Sequence, residues 1–133
     1  MRGMNVIYDS NVWVALMNTD DSCHKKACTQ FQKDNESTAE FFIPECVLME
    51  VITVLRRIGT AKHASSFIQL VAQDNQLHLQ KHNTKTLREV YALVARGAHP
   101  KLSVTDLYLF LLSRRHTIVT YDTALKRAIA AYV

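Results

Sequence analysis

The sequence predicts an α/β fold: a parallel sheet of four or five strands with helices on both faces. Short runs rich in β-branched and aromatic residues alternate with longer segments whose apolar residues recur at helical spacing. No repeat or Pro/Ser-rich linker interrupts the 133 residues, so we expect one domain over residues 1–133. The composition, 48% hydrophobic and 21% charged with three Gly and two Pro, excludes collagen-like and disordered chains.

Four segments have the length and composition of strands. They are residues 6–8, 41–43, 76–80 and 117–120. A fifth strand would have to be as short as residues 131–133, or be absent. In parallel sheets of this type, ligands bind outside the carboxyl ends of the strands.

The helices are predicted from apolar spacing and from residues that start or stop helices. A buried helix over residues 11–17 is followed by a second helix that Asp20 and Asp21 open. Pro44 is expected as the first residue of the third helix, and Gly59 as its left-handed cap.

Residues 60–73 repeat the helical pattern, and further helices follow towards the carboxyl terminus. Asn83 or Thr84 caps the next helix, and Gly97 stops it. Ser103 and Asp106 have the spacing of a capping box, which places Asp106 in the first turn of a helix running to Arg115. A short helix is expected after Asp122.

Charge and cysteine content restrict the class of protein only mildly. Sixteen basic and twelve acidic residues give a net charge of +4, which permits a polyanionic partner without proving one. The three cysteines show no CxxC spacing and are expected to be reduced thiols. The longest uncharged apolar stretches are far shorter than the roughly 20 residues that span a bilayer. No signal peptide is apparent, so we expect a cytoplasmic protein without a membrane anchor.

Four acidic residues stand out by their context. Asp9 and Asp122 end the first and fourth strands, Glu50 interrupts an apolar helix, and Asp106 opens the most hydrophobic helix. If the four converge, their repulsion raises their pKa values unless a cation neutralises them. Carboxylate oxygens are hard ligands that select Mg²⁺ or Mn²⁺.

Each of these residues also has a simpler interpretation. An Asp at a strand end often only caps the next helix, Asp106 fits a capping residue, and Glu50 could pair with Arg57. Sequence spacing alone does not show convergence.

Five segments, taken together, resemble the PIN domains, particularly the VapC-type toxin ribonucleases. They are YDSNVWVAL at residues 8–16, HKKA at 24–27, IPECVLMEV at 43–51, LSVTD at 102–106 and TIVTYD at 117–122. Their order and separation agree with the family over nearly the whole chain. The apolar run at residues 107–110 is bulkier than the alanine-rich run usual in the family.

The resemblance implies a metal-dependent endoribonuclease, the toxin of a toxin–antitoxin pair, with RNA as substrate. It implies Mg²⁺ or Mn²⁺ as cofactor, an antitoxin protein as partner and a homodimer. The family's four acidic positions fall on Asp9, Glu50, Asp106 and Asp122, and its supporting polar positions on Ser10 and Thr120.

The roles within this set are assigned from the same resemblance. Asp9 and Asp106 are the first candidates for direct metal ligands, and Asp122 binds directly or through water. Glu50 orients that water or acts as the base.

The alternatives to a metal-dependent nuclease have less support in the sequence. A PIN-like module that binds RNA or acts as a scaffold without catalysis would be expected to lose at least one carboxylate. A metal-free ribonuclease would need paired imidazoles, but the six histidines are scattered. Arg114 and Arg115 could bind phosphates or complement a helix dipole. Trp13 is more typical of a core residue than of a base-stacking one.

Overall fold

The computed structural model describes residues 4–59 and 61–132 of the chain. The strands are β1 (Asn5–Tyr8), β2 (Glu40–Pro44), β3 (Leu77–Gln80) and β4 (Thr117–Val119). The helices are α1 (Ser10–Met17), α2 (His24–Glu36), α3 (Glu45–Ile58), α4 (Ala61–Gln73), α5 (Thr84–Ala95), α6 (Val104–Leu112) and α7 (Thr123–Ala131).

The strands form one parallel sheet in the order β3-β2-β1-β4. The chain builds outward from β1 through β2 to β3, and β4 then joins the free side of β1. In register, Ile7 lies opposite Ile118 and Tyr8 opposite Val119. The strand order therefore reverses between β1 and β4, and the crevice at such a reversal is where α/β sheets bind ligands.

The helices cover both faces of the sheet. Right-handed crossovers place α1 to α4 on one face and α5 and α6 on the other. The packing agrees, because α1 contacts α2 and α3, α3 contacts α4, and α6 contacts both α5 and α7. The α/β fold with helices on both faces of a parallel sheet is thus confirmed.

An aromatic cluster fills the core between the sheet and α1 to α4. The Trp13 ring is fully buried, with its centroid 5.1 Å from that of Tyr8 and 5.5 Å from that of Phe67. Tyr8 also packs edge-on against Phe41. Trp13 is therefore a core residue, as the sequence predicts.

A buried carboxylate joins α2 to this core. The Tyr8 hydroxyl donates to Asp34 at 2.5 Å, and the Gln30 amide donates to the same carboxylate at 3.0 Å. Asp34 is only 4% exposed. Burial and the Asp34 hydrogen bond together raise the pKa of Tyr8 far above its usual value, so Tyr8 stays a neutral donor.

Two predictions about the ends of α3 are wrong. Pro44 is the last residue of β2, because it still pairs with Gln80 and its ψ of 144° is extended. Gly59 also has an extended backbone, with φ −133° and ψ −163°, rather than a left-handed one. The His63 ring occupies the space that a Cβ at Gly59 would fill, which is a contact from the next helix.

The second helix begins later than Asp20 and Asp21. α2 starts at His24, and Asp21 instead accepts a hydrogen bond from the Cys23 backbone at 2.8 Å. The short polar side chain of Asp21 stabilises a turn in front of the helix. Local sequence does not distinguish such a turn from a helix cap.

The predicted caps of α5 and α6 are confirmed. Asn83 accepts from the Lys85 and Thr86 backbones, and Gly97 has a φ of +69° after the end of α5. The Ser103 and Asp106 capping box is formed, although α6 ends at Leu112 rather than Arg115.

The sheet has four strands within residues 4–59 and 61–132. Ala131 lies in α7, and Val133 is outside the described residues. Of the two possibilities that the sequence left open, a fifth strand beginning at Ala131 is therefore excluded. None of the helices in the described ranges has the length and apolar character needed to span a bilayer.

Candidate active site at the carboxyl edge of the sheet

Asp9 lies directly at the reversal point between β1 and β4. Its backbone N–H donates to Val119 at 2.9 Å, and it is the N-cap of α1. Its carboxylate is 4% exposed and accepts from the Ser10 backbone and the Thr120 hydroxyl, each at 2.7 Å. Asp9 is therefore held by groups on both sides of the crevice.

Thr120 and Asn11 connect the two chain segments that form the crevice. The Thr120 hydroxyl oxygen accepts from the Asp122 backbone at 3.1 Å, while its proton is donated to Asp9. The side-chain amide oxygen of Asn11 accepts from the Tyr121 backbone N–H at 3.2 Å. These bonds fix the start of α1 against the turn that follows β4.

Asn11 is a supporting residue that sequence reasoning missed. Its position two residues after the strand-end Asp9 is the only local signal. Its partner, Tyr121, is 110 positions away in sequence, so the hydrogen bond depends on the pairing of β1 with β4.

Glu50 reaches the same edge from α3. Its side chain accepts a hydrogen bond from the Ser10 hydroxyl at 2.6 Å. Val47 and Val51 of the same helix are fully buried, whereas Glu50 is exposed. Although Glu50 interrupts an apolar helix in sequence, it extends from the rim of α3 rather than from its core face.

Asp106 approaches from the other face of the sheet. It is half-buried in the first turn of α6, where one carboxylate oxygen accepts from the Ser103 backbone at 3.1 Å. Its negative charge acts on Asp9 and raises the pKa of that carboxyl.

The pKa of Asp9 is raised above its ordinary value of 3.8, chiefly because burial disfavours its charge. The hydrogen bonds from Thr120 and Ser10 lower the pKa, and the charges of Asp106 and Glu50 raise it. The upward effects prevail. The charges of Asp106 on α6 and Glu50 on α3 thus both act on Asp9 at the start of α1, and ionisation of Asp9 is less favourable than that of a free Asp side chain.

Asp122 is adjacent to this group but is turned towards its own helix. It is the N-cap of α7, and its carboxylate accepts from the Leu125 backbone at 2.9 Å. Its backbone N–H bonds to Thr120, which in turn bonds to Asp9. Asp122 thus lies on the same side of the molecule as Asp9, and Thr120 is a hydrogen-bond partner of both residues.

The simpler interpretation as helix caps is correct for three of the four residues. Asp9, Asp106 and Asp122 all accept backbone hydrogen bonds in the first turn of a helix. Capping explains each residue locally, but it does not require three helices to begin at the same edge of the sheet. We call Asp9, Glu50, Asp106 and Asp122 the acidic cluster.

The cluster fits a hard divalent cation by its chemistry. All its donors are carboxylate oxygens. Because burial raises the pKa of Asp9, a nearby cation would favour the charged form of this carboxyl. In residues 4–59 and 61–132, however, no three His, Cys, Asp or Glu side chains are arranged as a ready metal site. Asp106 and Asp122 each use one oxygen as a cap, so the second oxygen is the donor that each could offer.

The fold and the acidic cluster define an α/β protein with one buried carboxylate, Asp9, and three more exposed ones at the carboxyl edge of a parallel sheet. The PIN domain family model matches residues 6–130, and the chain belongs to that family. No curated protein matches the sequence significantly.

Two solved structures share the fold. The Mycobacterium tuberculosis toxin VapC20, described as cleaving the sarcin-ricin loop, superposes with a TM-score of 0.79 at 16% identity, covering 92% of this chain and 94% of its own. VapBC2 from Rickettsia felis, bound to a DNA fragment from its promoter, gives a TM-score of 0.56 at 12% identity. That match covers 90% of this chain and 100% of the Rickettsia chain.

Proposed function

We propose that the protein is a metal-dependent endoribonuclease and the toxin of a toxin–antitoxin pair. The observation that carries the proposal is the buried Asp9 carboxylate, whose pKa is raised in part by Asp106 and Glu50 at the strand-order reversal. Membership of the PIN family and the fold shared with VapC20 support this assignment.

The proposed cofactor is Mg²⁺ or Mn²⁺, held by Asp9 and Asp106, with Asp122 binding directly or through water. When bound, such an ion lowers the pKa of a water molecule and stabilises negative charge on the phosphate. Carboxylates that repel one another in the free protein would then act together as ligands.

The chain's own hydrogen bonds define what each residue contributes. Thr120 and the Ser10 backbone fix both oxygens of Asp9, so this carboxylate needs little reorganisation to bind a cation. The Ser10 hydroxyl holds Glu50 at the rim, where its exposed carboxylate can accept a proton from an attacking water. Attack by water would leave 3′-hydroxyl and 5′-phosphate ends.

The substrate and partners are proposed from the relatives. Water attack does not need the 2′-hydroxyl of RNA, so RNA rather than DNA is supported by the resemblance to VapC-type toxins and by the described activity of VapC20. A cytoplasmic homodimer inhibited by an antitoxin protein is proposed on the same resemblance and on the VapBC2 match.

The test is cleavage of single-stranded and structured RNA by purified protein. We expect cleavage with Mg²⁺ or Mn²⁺, none with EDTA, and none by Asp106→Asn. Asp20→Asn, which removes one exposed carboxylate outside the cluster, is the matched control and should cleave normally. Expression of the wild type should slow bacterial growth, and Asp106→Asn should relieve the effect.

Two outcomes would favour other functions. Cleavage that persists in EDTA would point to histidine acid–base catalysis. RNA binding without cleavage under either metal would point to a catalytically inactive PIN-like module.

A further inference from the structure

A groove whose charged lining residues are mainly basic lies on the α5–α6 side of the sheet. Its enclosed part, of about 420 Å³, lies between the end of β3, α5, α6 and the turn into β4. A second, more open cavity of about 860 Å³ shares Arg114, Arg115 and His116 with the first and reaches Asn5 and Thr117 at the amino edge. We call the two cavities together the basic groove. The enclosed volume is within the range of about 300–1,000 Å³ that binds small ligands or parts of larger ones.

Three positive charges of the basic groove have no ion-pair partner in the described chain, residues 4–59 and 61–132. Arg114 is paired with Glu89 at 3.1 Å and also donates to the Leu111 carbonyl at the end of α6. Arg114 therefore fits the interpretation as a residue that complements the dipole at the end of a helix. Lys81, Lys85 and Arg115 are exposed, and the observed ion pairs involve none of them.

Two buried polar atoms of the basic groove lack hydrogen-bond partners within residues 4–59 and 61–132. They are Oε1 of Gln80 and Nδ1 of His116, and both residues line the enclosed part. Burial and the neighbouring Arg115 charge lower the pKa of His116, so its ring offers a hydrogen bond rather than a charge. A carbonyl oxygen needs a donor, which a fully ionised phosphate lacks and a ribose hydroxyl or base amino group provides.

The basic groove and the acidic cluster share helix α6, since Tyr108 lines the groove two residues after Asp106. Pro44 pairs with Gln80, so the start of α3 lies beside the wall of the groove. Glu45, at that start, accepts from the His82 backbone at 3.0 Å, and Glu50 lies on the same helix. Tyr108 also accepts from the Asn83 backbone at 2.9 Å, which joins α6 to the start of α5 inside the groove.

We propose that the basic groove binds a single-stranded segment of the RNA substrate as it leaves the acidic cluster. Lys81, Lys85 and Arg115 contact its phosphates, and Gln80 and His116 hydrogen-bond its ribose hydroxyls or base edges. The inference rests on the proposed function for the identity of the polynucleotide. It assigns the α5–α6 side of the sheet a part in holding substrate.

The first test measures RNA affinity without cleavage. A labelled single-stranded RNA is titrated in EDTA with wild type, with Lys85→Glu/Arg115→Glu, and with Arg88→Glu/Lys33→Glu as the control. Arg88 and Lys33 are exposed residues that do not line the groove, and the two double variants change the net charge equally. Circular dichroism establishes that each variant is folded.

The groove variant should bind at least about tenfold more weakly than the control. Loss of two phosphate contacts should also reduce the slope of log K against log salt by about 1.4, at about 0.7 per contact. Gln80→Met, which keeps the charge, should raise KM for RNA and leave kcat unchanged. Equal affinities of the groove and control variants for RNA would overturn the proposal. It would also be overturned if polyglutamate bound as tightly as RNA and the groove substitutions weakened both equally.

Failure of the groove and failure of the nuclease give different results. A wild type that cleaves RNA while the groove and control variants bind alike overturns the groove alone. A wild type that binds RNA through the groove but cuts it with neither metal overturns the nuclease and supports the groove. A wild type that neither binds nor cuts RNA overturns both.

Discussion

Asp9 and Asp34 are both 4% exposed, yet the groups that surround their carboxylates differ. Asp34 accepts hydrogen bonds from two neutral donors, Tyr8 and Gln30, inside the core. Asp9 also accepts two hydrogen bonds, but the charges of Asp106 and Glu50 act against it.

The difference teaches that burial of a carboxylate does not by itself mark a functional site. Tyr8 and Gln30 both donate to Oδ2 of Asp34, and the result is a link between β1 and α2. Burial, together with the charges of Asp106 and Glu50, leaves Asp9 with a raised pKa, which is a free-energy penalty for the folded, ionised protein. A penalty of this kind is expected where a cation or substrate is to be bound.

The largest expected effect is the loss of RNA cleavage in Asp9→Asn. Removal of a proposed direct metal ligand should lower the cleavage rate by at least about 100-fold. In EDTA, the free energy of unfolding should change by no more than about 1–2 kcal/mol, because removal of the repelled charge offsets the loss of one of the two hydrogen bonds that Asp9 accepts. Urea titration and RNA cleavage measure the two effects. Preserved cleavage together with a large loss of stability would make Asp9 a structural residue like Asp34.

The opposite pattern is expected for Tyr8→Phe. Loss of the hydroxyl leaves buried Asp34 short of a donor and should lower the free energy of unfolding by about 1–3 kcal/mol. Cleavage per folded molecule should stay within about twofold of the wild type, because Asp34 is not part of the acidic cluster. Tyr91→Phe, at an exposed position, is the control and should change neither quantity. A cleavage loss in Tyr8→Phe, with none in the control, would contradict the separation of the two sites.

The smallest expected effect is a pH dependence of stability that Asp9 causes in metal-free protein. A folded-state pKa raised above 3.8 means that the folded protein holds this proton more tightly than the unfolded chain. The wild type should therefore lose stability relative to Asp9→Asn as the pH rises from about 3.8 to the raised pKa. A tenfold difference in proton affinity between the folded and unfolded states corresponds to about 1.4 kcal/mol.

Urea titrations in EDTA across that pH range measure the difference, with Asp20→Asn as the control for one lost charge. Saturating Mg²⁺ should reduce the difference above the raised pKa, since a cation that binds only the folded state stabilises it. A difference that is constant with pH, or that changes in the opposite direction, would contradict the electrostatic account of Asp9.

The order of the elements and several caps were predictable because they depend on neighbouring residues. The Asn83 cap and the Ser103 and Asp106 capping box each use groups within three positions of one another. The prediction for Gly59 was wrong because its constraint comes from the approach of His63, not from its own φ. Asp34 and Asn11 gave little signal because their partners lie 26 and 110 positions away, respectively.

The sequence alone determined the α/β pattern, the PIN-like motifs and the four acidic positions at or near strand and helix ends. Those features follow from local spacing, polarity and capping, which a linear chain already contains. Only the tertiary structure decided that β4 joins β1, that Ser10 holds Glu50 at the rim, and that Asp106 raises the pKa of Asp9. Electrostatic coupling falls off with distance in space and not along the chain, so it exists only once the strands are paired.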